Sequence, residues 1–285
     1  MLEIKKINSL ENSQIKLLKK LGSKKYRQEF GLFCVENLVI IQDSLKAGYD
    51  FESLFFTTGF AQKNSELLKA LQQKSKAKNF FEIETKINKN FSSLETPSGI
   101  VAIYKIKVGE GANEKAEEGV SEKIIISREK KSNLKTKSAN LRFVYLNGIN
   151  DPGNLGTIMR SALAFGFKTL ILDEACVDIY NPKVITAAKD SIFKLNFIFD
   201  KNRTWLEREV RKNKLDLYVA DVKGKTDLNK FKASKSFCLA LGSESQGLSE
   251  QILKFANKSI KIEISTEIES LNVAIAAGIL FYYLK

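Results

Sequence analysis

The chain contains no histidine. That absence removes every Ser/His/Asp and Cys/His catalytic arrangement and every His-ligated metal site. Any catalysis must run on Arg, Lys, Asp, Glu, Ser, Asn or backbone groups. Cysteine is scarce as well: Cys34, Cys176 and Cys238 lie far apart, with no CxxC spacing. Zinc and redox motifs are therefore unsupported, no metal is expected, and a sparse, odd count suits a reducing cytoplasm. The longest apolar run, Val273 to Leu284, falls short of the roughly 20 residues that span a bilayer. It reads as a buried helix, and no membrane partner is expected. The opening residues Met1-Leu2-Glu3-Ile4-Lys5-Lys6 lack a signal-peptide pattern. Two nucleotide-binding signatures are missing too. Gly109-Glu110-Gly111 follows a predicted strand, but neither a third glycine nor an amphipathic helix comes after it. The glycine-bounded loop at 242–247 is not followed by Gly-Lys-Ser/Thr, which leaves ATP-driven chemistry without support.

What is present in excess is positive charge: 46 Lys and Arg against 33 Asp and Glu, a net +13. Such an excess suits a polyanion held through phosphate contacts, although a generally lysine-rich proteome would give the same balance. The densest basic stretch holds Lys16, Lys19, Lys20, Lys24, Lys25 and Arg27 and is the candidate track for nucleic acid. Contacts of that kind position a phosphate backbone without reading its sequence.

At 285 residues with 44% hydrophobic content, the chain has room for two domains with proper cores. Residues 1–104 read as a small α/β unit, with helices over Ser9–Leu21 and Glu36–Lys46 and strands at 53–56, 80–83 and 99–104. Helices between those strands make parallel pairing natural. From 105 to 140 the composition shifts to Gly, Glu, Lys, Ser and Asn, as in a linker or mobile insertion. Ile124-Ile125-Ile126 is its one strand-like exception. Over 141–285, strands at 142–147, 169–172, 217–221, 236–241 and 260–264 alternate with helices at 154–165, 183–190, 202–213, 249–256 and 270–284. That alternation argues for a parallel sheet covered on both faces, with ligands at the carboxyl ends of its strands.

Three segments concentrate small and polar groups. Asp151-Pro152-Gly153-Asn154-Leu155-Gly156-Thr157-Ile158-Met159-Arg160 is a turn feeding a helix, in which Gly153 permits the bend and Asn154 suits the N-cap. Ile158, Ala162 and Phe165 form its buried stripe, so Arg160 projects elsewhere, either as a surface arginine or toward an anion at the helix start. Leu239-Ala240-Leu241-Gly242-Ser243-Glu244-Ser245-Gln246-Gly247-Leu248 is a strand entering a loop whose glycines let backbone approach a ligand closely. Glu244 taken alone is solvated or structural. Glu269-Ser270-Leu271-Asn272-Val273-Ala274 opens the apolar terminal helix, with Ser270 either its N-cap or a ligand contact. The Asn272 amide must find partners or cost a few kcal/mol, so it is either structural glue or a ligand contact. Ala274, Ala276, Ala277 and Gly278 permit close packing against backbone or a second subunit.

In this order and spacing the three segments resemble the motifs of the SpoU (TrmH-type) RNA ribose 2′-O-methyltransferases of the SPOUT superfamily. The N-terminal part is similar to the ribosomal-protein-like substrate-binding domain of many members. Its landmarks are Lys25-Tyr26-Arg27, Phe33-Cys34-Val35-Glu36 and Thr96-Pro97-Ser98-Gly99-Ile100-Val101-Ala102. Asn37 departs from the pattern, which has glycine there. The resemblance implies an RNA-binding domain over 1–104, the linker over 105–140, and a trefoil-knotted methyltransferase domain over 141–285, dimeric through its knot helices. It also implies bound S-adenosylmethionine, wrapped by Leu241, Gly242, Ile262 and Leu271 with Ser243, Ile264 and Asn272 nearby. Family catalytic or substrate roles fall on Asn154, Arg160, Glu244, Ser270 and Asn272. Because a guanidinium stays protonated, Arg160 is expected to clamp an RNA phosphate, and Glu244 or a phosphate oxygen to help move the proton. The expected substrate is 23S ribosomal RNA rather than tRNA. A non-catalytic RNA binder with a degenerate fold is the rival, and calorimetry with S-adenosylmethionine separates the two.

Overall fold

The computed structural model describes residues 3–106, 123–125, 141–212 and 215–285. Of the linker expected over 105–140, only residues 105 and 106 and Lys123–Ile125 fall among them. The chain forms two compact units. The first takes the N-terminal residues and also Asp178–Phe193, which the sequence reading gave to the C-terminal domain; the second takes the rest.

In the first unit the strands are β1 (Ile4–Ile7), β2 (Leu32–Val35), β3 (Ser53–Thr57), β4 (Asn79–Ile83) and β5 (Ile100–Lys105). The helices are α1 (Ser13–Lys20), α2 (Lys24–Phe30), α3 (Leu38–Lys46), α4 (Thr58–Lys63), α5 (Ser65–Lys74) and α6 (Thr85–Phe91). The sheet order is β1-β4-β3-β5-β2. β3 and β4 are parallel as expected, but β5 runs antiparallel to β3. The short α6 rises only about 10 Å, so it does not carry the chain back along the sheet. β5 starts with Ile100 opposite Phe56, at the end where β3 finishes. In α1 the helical period buries Ile15 and Leu18 against Phe55, Phe81 and Val101 while Lys16, Lys19 and Lys20 stay exposed. Asn37 is the N-cap of α3, its side chain accepting from the Ile40 amide at 3.1 Å. A side chain where the family pattern has glycine therefore has a local task.

The remaining elements are β6 (Lys123–Ile125), β7 (Arg142–Asn147), α7 (Pro152–Ala164), β8 (Thr169–Asp173), α8 (Pro182–Ala188), β9 (Asn196–Asp200), α9 (Thr204–Lys212), β10 (Asp216–Ala220), β11 (Thr226–Asp227), β12 (Phe237–Gly242), α10 (Glu250–Phe255), β13 (Lys258–Lys261) and α11 (Val273–Leu284). Among these, α8 belongs to the first unit, where Tyr180 meets Phe33 at 4.5 Å and Phe193 meets Tyr104 at 5.1 Å between ring centroids.

The second sheet has the order β11-β13-β10-β12-β7-β8-β9-β6, parallel throughout except where β6 runs against β9. Phe143 to Leu146 in β7 and Phe237 to Leu241 in β12 are all buried, the uninterrupted apolar runs of strands covered on both faces. Trp205, Leu206 and Ile252 pack on one side of them with Phe143 and Tyr145. From β13 the chain returns to the middle of the sheet, where α11 packs against α7 and β12. β8 and β9 extend from one side of β7 and the β12–β10–β13 block from the other. The order therefore reverses between β7 and β12, and open sheets of this kind bind ligands at such a switch point.

Candidate active site

The carboxyl ends of β10 and β12, the returning 262–271 segment and the start of α11 line a cavity of about 330 Å³. That is the lower end of the size range for small-molecule pockets. All six residues assigned to the cofactor line it: Leu241, Gly242, Ser243, Ile262, Ile264 and Leu271. The sequence reading did not name Ala220, the last residue of β10, Val222 just beyond it, or Val273, Ala276 and Leu280 on α11 as part of this wall. A strand ending near residue 221 was a usable signal for the first two, since ligands sit at carboxyl ends. The apolar terminal helix gave no signal separating a wall from ordinary packing.

The loop after β12 is built around its two glycines. A Cβ on Gly242 would lie 2.2 Å from the Gly247 carbonyl carbon and 2.5 Å from the Leu248 nitrogen. Gly247 itself sits at φ +64°, in the left-handed region that favours glycine. Its amide donates to the Ser243 carbonyl at 2.8 Å, closing the loop on itself. Asn147, the last residue of β7, anchors it from below. Its carbonyl accepts from the Ser243 amide at 3.1 Å, and its Oδ1 from the Ser249 amide at 2.9 Å. Asn147 Nδ2 donates in turn to Asp173, which also accepts from the Gly148 amide at 3.0 Å. Asn147 and Asp173 are positioning residues that the sequence reading passed over, although each is a polar residue closing an apolar strand.

Three of the five predicted catalytic residues converge in one hydrogen-bonded cluster at the cavity's edge. Asn272 Nδ2 donates to Asn154 Oδ1 at 2.9 Å and to Glu244 Oε1. The same Glu244 oxygen accepts from the Val273 amide at 3.1 Å and from Asn154 Nδ2 at 3.4 Å. Asn272 Oδ1 meanwhile accepts from the Ala274 and Ile275 amides, so Asn272 and not Ser270 is the N-cap of α11. The cap of α7 is likewise Asp151 rather than Asn154: its carboxylate accepts from the Asn154 amide at 2.7 Å, and Pro152 takes the first helical position. Both shifts free a side chain that the sequence reading had tied to capping. Ser270 lines the cavity, exposed, with no side-chain hydrogen bond among the described residues.

Arg160 stands apart from the cluster. It lies about 9 Å along α7 from Asn154 and about 120° around it. It is exposed, with no ion pair or hydrogen bond among the described residues. Asn154 and Asn272 also border a groove between α7 and α11, walled by Thr157, Ser161, Ile275 and Tyr282. Ile275, Tyr282 and Tyr283 are each more than half exposed along α11.

The basic track needs one correction. Lys16, Lys19, Lys20, Lys24 and Lys25 are exposed, with Lys16 paired to Glu11 at 2.6 Å. Arg27 is buried: its Nε and Nη2 donate to Asp178 at 2.8 and 2.6 Å, and its Nη1 donates to the Leu21 and Gly22 carbonyls, both at 2.9 Å. The helical period that turns Lys24 and Lys25 outward turns Arg27 into the unit. It is a structural clamp, not an RNA contact.

Residues 142–282 match the model of the SpoU rRNA Methylase family, and residues 12–102 match the MRM3-like substrate binding domain. The chain is 24% identical over 282 residues to the 23S rRNA (guanosine(2553)-2′-O)-methyltransferase RlmP of Bacillus subtilis, spanning 99% of this chain and 100% of that protein. It is 27% identical over 311 aligned positions to the mitochondrial rRNA methyltransferase 3A of Danio rerio, covering 91% of this chain and 65% of that protein. The AdoMet-bound rRNA methyltransferase from Sinorhizobium meliloti superposes with a TM-score of 0.76 at 24% identity, covering 98% of this chain and 97% of that one. A parallel sheet with a cavity at its switch point, a polar cluster beside it and these matches in both units lead to one conclusion. The chain belongs to the SpoU rRNA methylase family, its α/β methyltransferase domain following an MRM3-like substrate-binding domain in the sequence.

Proposed function

We propose that this protein transfers a methyl group from S-adenosylmethionine to a ribose 2′-hydroxyl of 23S ribosomal RNA. The observation that carries this is the Asn154–Glu244–Asn272 cluster bordering a cavity lined by all six expected cofactor residues. The cavity suits the cofactor on its own chemistry. Leu241, Ile262, Ile264 and Leu271 offer apolar surface, and the Gly242 cradle, closed to any side chain, lets backbone amides and carbonyls meet polar groups. When bound, S-adenosylmethionine supplies an electrophilic methyl group on a sulfonium.

The chain's own residues have separable tasks. Glu244 Oε1 is engaged by Asn272, Val273 and Asn154, which fixes the carboxylate in place. Its Oε2 has no partner among the described residues and is the atom assigned to accept the 2′-hydroxyl proton. Arg160, cationic and without an ion pair among the described residues, clamps an RNA phosphate and stabilises the developing alkoxide. A donor of that kind contributes about 2.7–4 kcal/mol. Ser270, at the cavity wall with no side-chain hydrogen bond among the described residues, donates to substrate or cofactor.

Ribosomal RNA is favoured because a relative aligned over the full length of both chains is named for 23S RNA, and because the net charge of +13 suits a large polyanion. A homodimer through α7 and α11 would cover Ile275, Tyr282 and Tyr283, and the three free thiols suit the cytoplasm. Radiolabelled methyl transfer to 23S RNA and to tRNA, with wild type, Arg160→Ala and Arg160→Lys, tests the reading. Both variants should lose about a hundredfold or more in turnover. Near-normal turnover in both removes Arg160 from the mechanism, and preferential labelling of tRNA overturns the substrate assignment.

A further inference from the structure

Arg27 is buried, but two aromatic neighbours on α2 stay at the surface. Tyr26 and Phe30, four residues apart, lie on one side of this helix with ring centroids 6.0 Å apart and planes only 11° from parallel. Neither belongs to the core: Phe30 is 39% exposed and Tyr26 is half-buried. Cations surround the pair. Lys20 Nζ stands 5.3 Å from the Tyr26 centroid and 5.8 Å from that of Phe30, and Lys25 Nζ is 5.8 Å from Tyr26. Lys19 and Lys24 are exposed beside them in the chain. Salt-bridging carboxylates hold none of Lys19, Lys20, Lys24 or Lys25 among the described residues.

We infer that Tyr26 and Phe30 form a stacking platform for an unpaired nucleotide of the RNA, with Lys20, Lys24 and Lys25 taking the adjoining phosphates. Flat apolar rings flanked by mobile ammonium groups match a nucleobase joined to phosphates, whose two chemistries occur at that spacing in single strands. Duplex RNA, with its bases stacked internally, offers such a platform nothing. Lys20 rests over the rings when no base is present and exchanges that contact for a phosphate when one arrives. The inference rests on the reading of this protein as RNA-binding and narrows it to single-stranded segments.

The test is fluorescence anisotropy of the full chain with a labelled single-stranded oligoadenosine RNA of about ten nucleotides. The comparison is the same strand made abasic. Wild type should bind the base-bearing strand about fivefold to a hundredfold more tightly. Tyr26→Ala/Phe30→Ala should bind both strands alike while keeping the wild-type salt slope, since it removes no charge. Lys20→Gln should instead make the slope shallower. The wild-type comparison requires no variant to fold, and Phe30→Ser alters only the more exposed ring. Equal binding of the two strands by wild type overturns the platform but leaves RNA binding standing. Failure to bind either strand removes the underlying reading as well. Full preference for bases in a folded double variant also overturns the platform, as does polyglutamate competing as well as the RNA, which would indicate an acidic protein partner.

Discussion

Gly242→Ala removes nothing from the protein, yet it should disable the site. The added methyl would sit 2.2 Å and 2.3 Å from the carbonyl carbon and oxygen of Gly247 and 2.5 Å from the Leu248 nitrogen. All three are backbone atoms, so no side chain can rotate away. Restoring ordinary contact requires the 243–247 loop to move by about 1 Å or more. The loop is held on the other side by Asn147, through the Ser243 and Ser249 amides, so it cannot shift as a free body. Overpacking of this kind costs about 1–3 kcal/mol, which for a unit of this size lowers the apparent Tm by about 2–10 °C. Movement of Ser243 and Glu244 also deforms the cavity wall and strains the bonds from Asn272 and Val273. Calorimetric titration with S-adenosylmethionine should then give a Kd raised at least about tenfold, or about 1.4 kcal/mol. Gly247→Ala is the control. Its added methyl meets nothing within 4 Å, so only the positive φ opposes it, at about 1–2 kcal/mol, and cofactor binding should suffer less. A Gly242→Ala protein that binds S-adenosylmethionine as wild type and melts at the same temperature would refute the closed-cradle account.

Asn272→Ala loses both the α11 cap, worth about 1 kcal/mol, and the links to Asn154 and Glu244. Asn272→Asp keeps a capping oxygen but sets a carboxylate against Glu244. It should recover thermal stability relative to Ala without recovering methyl transfer, and recovered transfer would show that the amide is only a cap. Arg27→Gln strands Asp178, whose side chain is 13% exposed, and should destabilise the N-terminal unit by about 3–5 kcal/mol. RNA affinity measured on the folded protein at low temperature should be unchanged; loss of affinity without loss of stability would restore Arg27 to the RNA track. Burial pushes the Cys34 thiol up to about 12 and also raises Cys176 and Cys238. Cys176 and Cys238 are buried and Cys34 is partly exposed, so a thiol-reactive chromophore should find Cys34 slow and the other two silent in the native protein, and count three after denaturation. A thiol reacting rapidly in the native state would contradict that burial.

The second unit was the more legible because its signals are periodic and redundant. Buried parallel strands read as short unbroken apolar runs, and Phe143 to Leu146 and Leu239 to Leu241 are told from helix by their length and by the turn residues that follow them. The first unit lost its edges. β1 is Ile4-Lys5-Lys6-Ile7, with only Ile7 buried, and an exposed edge strand carries no alternation to detect. The antiparallel turn at β5 depended on how far α6 carries the chain, which composition does not reveal. At the site, the six residues that the family resemblance offers for the cofactor line one cavity. The capping roles were not legible in the sequence. Asp151 and Asn154, like Ser270 and Asn272, are all good caps within two or three residues of one another. Only the path of the backbone decides which of them is spent on a helix and which is left for the ligand. Arg27 misled for a related reason, since a run of basic residues looks continuous in sequence while a helix turns one in four of them inward.

Everything proposed for this site converges on methyl groups reaching ribose oxygens. The most direct measurement is alkaline hydrolysis of 23S RNA after incubation with the protein and methyl-labelled S-adenosylmethionine, followed by mass spectrometry of the fragments. Methylation of a 2′-hydroxyl blocks cleavage of the adjoining linkage, so the label should appear in an alkali-resistant dinucleotide. Digestion to nucleosides should then place the added mass on ribose. Label released in ordinary mononucleotides with the mass on a base, or no label in any RNA offered, would contradict the account.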